Sequence, residues 1–393
     1  MTPAARVQSA IEILDSIIAA ARSQGAPADR ILSEWFRGHR FAGSKDRRAI
    51  RELVYGAVRA CGPIPQTGRA AMLRLAESDA AIAPLFDGSN YGPAAIGVGE
   101  AAAEGGTAPQ WLVDRLAASG IAGDEAAALL GRAPLDLRVN TQKASREALE
   151  LPDAGERLAA PNALRFETGT QVEQWPAYRE GQVEVQDHGS QLACMATQAR
   201  PGETVIDLCA GAGGKTLALA AAMENSGALL AADTDRGRLS RLPPRAERAG
   251  AGLIESLLLN PGKELEALDG FVGKADAVLV DAPCSGTGTW RRNPEARWRL
   301  SDAELARYVA TQARLLDIAS QLVRPGGRVI YVVCSLLDEE GAGQVDAFLA
   351  RNPDWQGGRP EVPLGRPRGQ GMRLTPHHDG TDGFFIASIG SPC

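Results

Sequence analysis

Residues 276–289 read DAVLVDAPCSGTGT. The apolar run Ala277-Val-Leu-Val280 ends on Asp281, and Pro283, Cys284, Ser285, Gly286 and Gly288 follow at once. Aliphatic and β-branched residues closed by Gly and Pro predict a buried parallel strand running into a loop. In open α/β sheets, ligands bind in the crevice beyond the carboxyl ends of the strands. The stretch therefore carries one carboxylate and one thiol towards a binding crevice. A second run, Gly327-Arg-Val-Ile-Tyr-Val-Val333, carries Cys334 and Ser335 in the same manner. A glycine-rich loop at 211–214 lies upstream of both.

The 393 residues allow two to three domains, each able to bury its own core. No run approaches the ~18 apolar residues that span a bilayer, and Glu12 and Asp15 interrupt the N-terminal apolar positions, so neither a membrane partner nor a secretory signal is expected. Cysteines stand at 61, 194, 209, 284, 334 and 393, with no CxxC pair and no metal-type Cys/His spacing. Free thiols in a reducing compartment, the cytoplasm, and no bound metal are expected. A net charge of −6 does not advertise a nucleic-acid binder, but the charge is uneven. Arg37, Arg40, Lys45, Arg47, Arg48 and Arg51 crowd one segment, and Arg291, Arg292, Arg297 and Arg299 crowd another directly after the Cys284 loop. A basic run is usually a solvated face; the second cluster stands out because it lies beside the thiol.

Residues 1–131 read as helices: Val7, Ile11, Leu14, Ile17 and Ile18 recur at helical spacing, as do Ile31, Leu32, Trp35 and Phe36. The module shows no catalytic group and reads as a scaffold or docking domain. Residues 132–186 form a small mixed α/β segment, with alternating strands near 135–140, 163–167 and 181–186 and a short helix at 141–149. From 187 to 393, strands at 204–208, 228–233, 277–280 and 327–333 alternate with helices at 216–223, 236–249 and 301–322. That alternation predicts a doubly wound parallel sheet of Rossmann-like type. A last strand is expected at 383–389, and the Gly-, Pro- and Arg-rich stretch 357–371 reads as a mobile loop.

Thr204-Val-Ile-Asp-Leu-Cys-Ala-Gly-Ala-Gly-Gly-Lys-Thr216 is a strand, a glycine turn and a helix start. A phosphate-binding P-loop would need Gly where Cys209 stands, and a dinucleotide fingerprint would need Gly where Thr216 stands. Two readings remain: a plain tight turn, or a site for the adenosine ligand S-adenosylmethionine. For the latter, Asp233 closes the next strand, where an acid suits ribose hydroxyls.

Taken singly, Cys284 and Cys334 read as inert buried thiols. Together, each past a strand of one sheet, they suggest chemistry, because cysteine is suited to addition at an electrophilic ring carbon. A soft nucleophile beside a methyl donor fits methylation of a pyrimidine at carbon 5. Thiolate addition at carbon 6 makes carbon 5 nucleophilic, and Asp281 could hold the amino edge of cytosine.

These residues resemble the Fmu/Sun (NOL/NOP/Sun) RNA cytosine-5 methyltransferases, and within them the branch acting on small-subunit (16S) ribosomal RNA. The resemblance runs through Leu137-Arg-Val-Asn-Thr141, Val185-Gln-Asp-His-Gly-Ser-Gln-Leu192, Asp207–Thr216, Asp281-Ala-Pro-Cys-Ser-Gly286, Arg291-Arg-Asn-Pro294, Cys334-Ser335 and Gly380-Thr-Asp-Gly-Phe-Phe385. It implies a NusB-like RNA-binding module over 1–131 and a catalytic domain over 187–393. The cofactor implied is S-adenosylmethionine and the partner a structured RNA, most directly ribosomal RNA, with no DNA and a monomeric protein. Cys209, Ala210, Gly211, Ala212, Gly213, Gly214 and Lys215 would wrap the methionine and ribose side of the cofactor. Asp233 would take the ribose hydroxyls, and Asn260 stands where the family usually has an acid reading adenine. Asp281 would lie between cofactor and base, with Cys334 as nucleophile and Cys284 serving product release. Val333 stands where threonine commonly precedes the nucleophile. Arg291, Arg292, Arg297 and Trp298 are candidates for gripping the flanking nucleotides. Two alternatives stay open: transfer RNA as substrate, and an RNA-binding assembly factor with a vestigial site.

Overall fold

A computed structural model describes residues 1–393, which divide into two compact units: Met1–Gly131 with Thr289–Ser301, and Arg132–Gly288 with Asp302–Cys393. The first is helical, built on α1 (Pro3–Arg22), α2 (Ala28–Gly38), α3 (Ser44–Ala60) and α4 (Gly68–Ser78). Thr2 caps α1 by accepting from the Ala5 amide, with Pro3 in the first turn where its missing N–H costs nothing. Val7, Leu14 and Ile17 of α1 are fully buried against Leu32, Phe36, Ile50 and Val54, as their helical spacing predicts. Helix α4 starts on Gly68 because a β-carbon there would lie 2.2 Å from the Ile11 carbonyl oxygen.

The segment Thr289–Ser301 corrects the expectation for Arg297 and Trp298. Both are buried within the helical unit and are unavailable to nucleotides. The Arg297 guanidinium donates to the carbonyls of Val58 and Cys61, both at 2.6 Å, closing the carbonyl end of α3. Those are acceptors that a helix C-terminus leaves without partners. Burial pushes the Arg297 pKa down to about 10. The Trp298 indole donates to the Gly62 carbonyl at 3.2 Å, and Arg299 donates to Gly25 and Ala26 at 2.9 and 2.6 Å. Arg291 is buried and Arg292 half-buried.

The second unit opens with a four-stranded antiparallel sheet, β1 (Leu135–Val139), β2 (Glu156–Arg157), β3 (Ala163–Phe166) and β4 (Val183–Val185), in the order β2-β3-β1-β4. Residues 141–149 form turns rather than the expected helix. The main sheet runs β5 (Thr204–Asp207), β6 (Ala228–Asp233), β7 (Ile254–Leu258), β8 (Ala275–Asp281) and β9 (Val323–Val333), then β10 (Gln356–Gly358), β11 (Arg366–Arg368), β12 (Gly371–Leu374) and β13 (Phe384–Gly390). Across the sheet the order is β7-β6-β5-β8-β9-β13-β12-β11, with β10 also on β13. Strands β5 to β9 pair in parallel and β13 pairs antiparallel with β9.

Alternate residues of the central strands face opposite layers, which is why these runs are apolar throughout. Val205, Ala277, Leu279, Ile330 and Val332 pack with Leu192, Leu217 and Leu242. Ile206, Val278, Val280, Val329 and Tyr331 pack with Leu315, Leu316, Val345 and Phe348. The sheet is thus doubly wound and Rossmann-like, as expected. The predicted helix 236–249 is two helices, Arg236–Leu239 and Leu242–Ala249, because Pro243 and Pro244 fit only a first turn. The stretch 357–371 is no mobile loop: it supplies β11 and the start of β12, and Arg368 pairs with Asp338. No helix is long and apolar enough to cross a membrane.

Candidate active site

Strand order reverses between β5 and β8, and the loops leaving the carboxyl ends of β5, β6, β8 and β9 converge there. Beyond β5 the chain is fixed by Leu208 N–H on the Leu279 carbonyl and Ala210 N–H on the Ala232 carbonyl, both 2.9 Å. Gly211 and Gly213 then turn with φ of +55° and +81°. A β-carbon at Gly211 would fall 2.3 Å from the Arg238 guanidinium, and one at Gly213 would fall 2.1 Å from the Leu242 side chain. Glycine is required at both positions for conformation and for space. At Gly214, where the next helix begins, a β-carbon would meet nothing within 4 Å, so the loop faces an open hollow on that side. Arg245 braces the loop from behind, donating to the Ala212 carbonyl at 2.5 Å and to Glu184 at 2.9 Å.

Asp233 closes β6 with one carboxylate oxygen on the Gly211 amide and the other on the Asp235 amide, each at 2.7 Å. Each oxygen keeps a lone pair, so the group can accept a vicinal diol while remaining fixed. Acid, glycine loop and hollow together fit the adenosine and methionine portions of S-adenosylmethionine. Asn260 is exposed two residues past β7, its main-chain carbonyl accepting from Lys263 at 2.9 Å. Asp207, at the tip of β5, is fully buried with one oxygen on Thr216 Oγ1 at 2.7 Å and the other without a partner. Burial pushes its carboxyl up to about 7.

Lys215 Nζ lies 2.6 Å from Asp281 Oδ2 and 5.7 Å from the Phe384 ring centroid. Burial works against the ammonium charge, but the Asp281 carboxylate outweighs it and holds Lys215 protonated. Strands β8 and β9 are in register at Asp281 and Val332, so Cys284 and Cys334 follow at one end of adjacent strands. Their sulfurs are 3.4 Å apart. The Cys334 carbonyl is pinned by Gly288 N–H at 3.0 Å. The hydrogen bond to Cys334, followed by burial, pushes the Cys284 thiol well above its usual range. Cys209 packs against the core, where burial raises its thiol well above the usual range and makes it a poor nucleophile.

The structure therefore brings Cys209–Lys215, Asp233, Asp281, Cys284 and Cys334 to one edge of the sheet, and leaves Arg297 and Trp298 outside it. Sequence reading missed Arg245, Phe384 and a buried polar network around Glu340 beneath the thiol loops. Glu340 stands in the acidic triplet Asp338-Glu-Glu340, six residues past Cys334, with no periodic pattern to mark it.

A family model described as 16S rRNA methyltransferase RsmB/F matches residues 194–390. Over 289 residues the chain is 35% identical to the ribosomal RNA small subunit methyltransferase B of Citrobacter koseri, covering 72% of this chain and 66% of that one. It is 35% identical over 273 residues to the probable ribosomal RNA small subunit methyltransferase B of a Synechocystis species, covering 65% and 59%. These matches span between 59% and 66% of the lengths of the curated relatives. Among solved structures, PH0851 superposes with a TM-score of 0.75 at 25% identity over 99% of both chains. The glycine loop and Asp233 are suited to an adenosine-bearing methyl donor. With the matched region running from Cys194 through both thiol loops to the end of β13, the chain belongs to the 16S rRNA methyltransferase RsmB/F family.

Proposed function

We propose that this protein methylates carbon 5 of a cytosine in small-subunit ribosomal RNA, with Cys334 as nucleophile. The observation carrying this reading is the pair of sulfurs 3.4 Å apart past the tips of β8 and β9, where Asp281, the last residue of β8, also holds Lys215.

S-adenosylmethionine, when bound, supplies an electrophilic methyl group. Asp233 takes the ribose hydroxyls, Cys209–Lys215 lies along the methionine and ribose, and Asn260 accepts from the adenine amino group through its side-chain oxygen. The target base must leave its stack to reach Cys334. The Cys334 thiolate forms a bond to carbon 6, and the ring π pair shifts towards carbon 5 and the N3–O2 edge. Asp281 holds the amino edge of the ring, with Lys215 fixing the position of that side chain. Once carbon 5 carries the methyl group, its proton passes to solvent water and the C–H electron pair restores the ring double bond. The carbon–sulfur bond breaks and its electron pair returns to Cys334. Cys284 aids that departure by donating its S–H to the leaving sulfur. The helical unit offers a hollow of about 410 Å³ lined by Arg37, Arg40, Arg47 and Arg51, suited to the RNA backbone.

Incubation with tritiated cofactor and unmodified small-subunit RNA is expected to label cytosine carbon 5. Absence of label there overturns the proposal, and label in transfer RNA alone moves the substrate. Cys284→Ala is expected to accumulate a covalent protein–RNA adduct that migrates slowly on a denaturing gel, whereas Cys334→Ala forms none. The opposite pattern exchanges the two roles.

A further inference from the structure

Beneath the two sulfurs lies a carboxylate that the reaction above does not use. Glu340 is fully buried, and no lysine or arginine pairs with it. A buried carboxylate without a cation is costly unless donors surround it. Here the donors come from the thiol loops and their support. Oε1 accepts from the Ser285 amide at 2.8 Å and from Gln312 Nε2 at 3.0 Å. Oε2 accepts from Ser335 Oγ at 2.6 Å and from Ser285 Oγ. Ser285 directly follows Cys284, and Ser335 directly follows Cys334.

The same network reaches further along both loops. Gln312 Nε2 also donates to the carbonyl of Pro283, the residue before Cys284, at 3.0 Å. The hydroxyls of Ser285 and Thr287 each stand 3.1 Å from that of Ser335, and Thr287 Oγ1 accepts from the Leu336 amide at 2.8 Å. Glu340 is itself held, because Tyr331 donates to its main-chain carbonyl at 2.7 Å. The loops leave adjacent strands, and the backbone ladder between those strands pairs Asp281 with Val332 but extends no pairing to the cysteines. Beyond the ladder the loops meet through Gly288 N–H on the Cys334 carbonyl, the Thr287 hydroxyl and Glu340, and Glu340 is the group that accepts from the residue after each cysteine. A nonpolar residue of similar size would fill the space but tie neither loop.

We infer that Glu340 is a positioning residue that clamps the Cys284 loop to the Cys334 loop and so sets the distance between the two sulfurs. The inference rests on the reading of those cysteines as a reacting pair. Its structural part, that Glu340 sets the spacing, can be measured without RNA or cofactor. The charge of Glu340 also contributes to keeping Cys284 in its thiol form. Glutamine at 340 keeps the size but offers one acceptor oxygen and an amide donor, which opposes two of the four donors.

The test reads sulfur proximity first. Treatment of the full-length protein with diamide removes two electrons and two protons from a neighbouring thiol pair, giving a disulfide and the reduced hydrazine. The link between Cys284 and Cys334 is then counted by peptide mass spectrometry. Wild type is expected to form it readily and Glu340→Gln about tenfold more slowly, since the attacking sulfur is no longer held in line. In the methylation assay, Glu340→Gln is expected to lose about a hundredfold in kcat with KM for RNA little changed. Glu340→Asp, which retains four acceptor sites on a shorter stem, is expected to recover part of both losses. Wild-type cross-linking and turnover in Glu340→Gln overturn the inference, as does equal loss in Glu340→Asp and Glu340→Gln. Should Glu340→Gln fail to melt cooperatively, Ser285→Ala, which removes one hydroxyl strut, is judged by the same slowing of the cross-link. If wild type methylates no RNA yet the variants still differ in cross-linking, the proposed reaction falls and the clamp stands.

Discussion

Asp207 shows how one buried atom makes a measurable claim. Its carboxyl sits near 7 in the folded chain, against about 4 in an unfolded one. The folded protein therefore binds this proton more tightly, and the stabilising proton is lost as the pH rises through about 7. Below about 4 both states are protonated and the burial carries no charge penalty. Asp207→Asn keeps an acceptor for Thr216 and cannot ionise. It is expected to match wild type in urea midpoint at the acid end and to exceed it above neutrality, by on the order of 1.4 kcal/mol per unit of displaced pKa. A difference between the two proteins that does not change with pH contradicts this account. Residues like Cys284 and Cys334 were legible from sequence because each lies within three residues of the end of an apolar strand that must be buried. Glu340 was not, since only the folded chain shows that this one member of its acidic triplet turns inward beneath the serines. Arg297 misled for the converse reason: the carbonyls that absorb its charge lie 236 and 239 positions away in the chain.

At the scale of elements, the Asp136 carboxylate is one of the groups that join the small sheet to the helix His188–Ala196. Asp136 in β1 is buried and accepts from Arg165 of β3 at 2.7 and 2.9 Å. It also accepts from the His188 amide at 3.0 Å. Asp187 caps the same helix through the Gly189 amide at 2.8 Å. Asp136→Ala leaves a guanidinium and a helix N-terminal amide without their acceptor. The expected loss is about 2–3 kcal/mol, in line with hydrogen bonds to charged groups, and it is read from the urea midpoint. Asp136→Asn should lose less, and equal stability of all three proteins contradicts the assignment. The strands that face two layers were readable because their runs are apolar at every position. Strand β7 escaped because it lies at the sheet edge, where Ile254, Leu257 and Leu258 are half-buried and Glu255 and Ser256 face out. Strand β11 escaped because Gly, Pro and Arg composition argues for a loop, although an edge strand tolerates Pro367 where no ladder donor is needed.

For the molecule as a whole, a net charge of −6 must be reconciled with the RNA substrate proposed above. The positive charge that remains accessible is concentrated rather than abundant. Arg37, Arg40, Arg47 and Arg51 line one hollow of the helical unit with Ser33 and Phe36, and all four arginines are exposed. Arg47 and Arg51 sit 5.7 and 5.6 Å from the Phe36 ring centroid, which restrains two guanidinium groups over one buried ring. Arg292 and its neighbours after the Cys284 loop contribute less than their number suggests, because Arg297 and Arg299 are spent on backbone carbonyls. Affinity drawn from a few phosphate contacts should fall steeply with salt, with a slope near −0.7 per contact for single strands. Replacing Arg40 and Arg51 together by glutamate is expected to weaken RNA binding and to flatten that slope by about one to two contacts' worth. Cofactor affinity should stay unchanged, since the substitutions lie in the helical unit. Both side chains are exposed, so thermal stability should move little. Binding titrations at several salt concentrations decide the matter: an unchanged slope places the RNA contact elsewhere on the protein, whereas a flattened one makes this hollow part of the footprint.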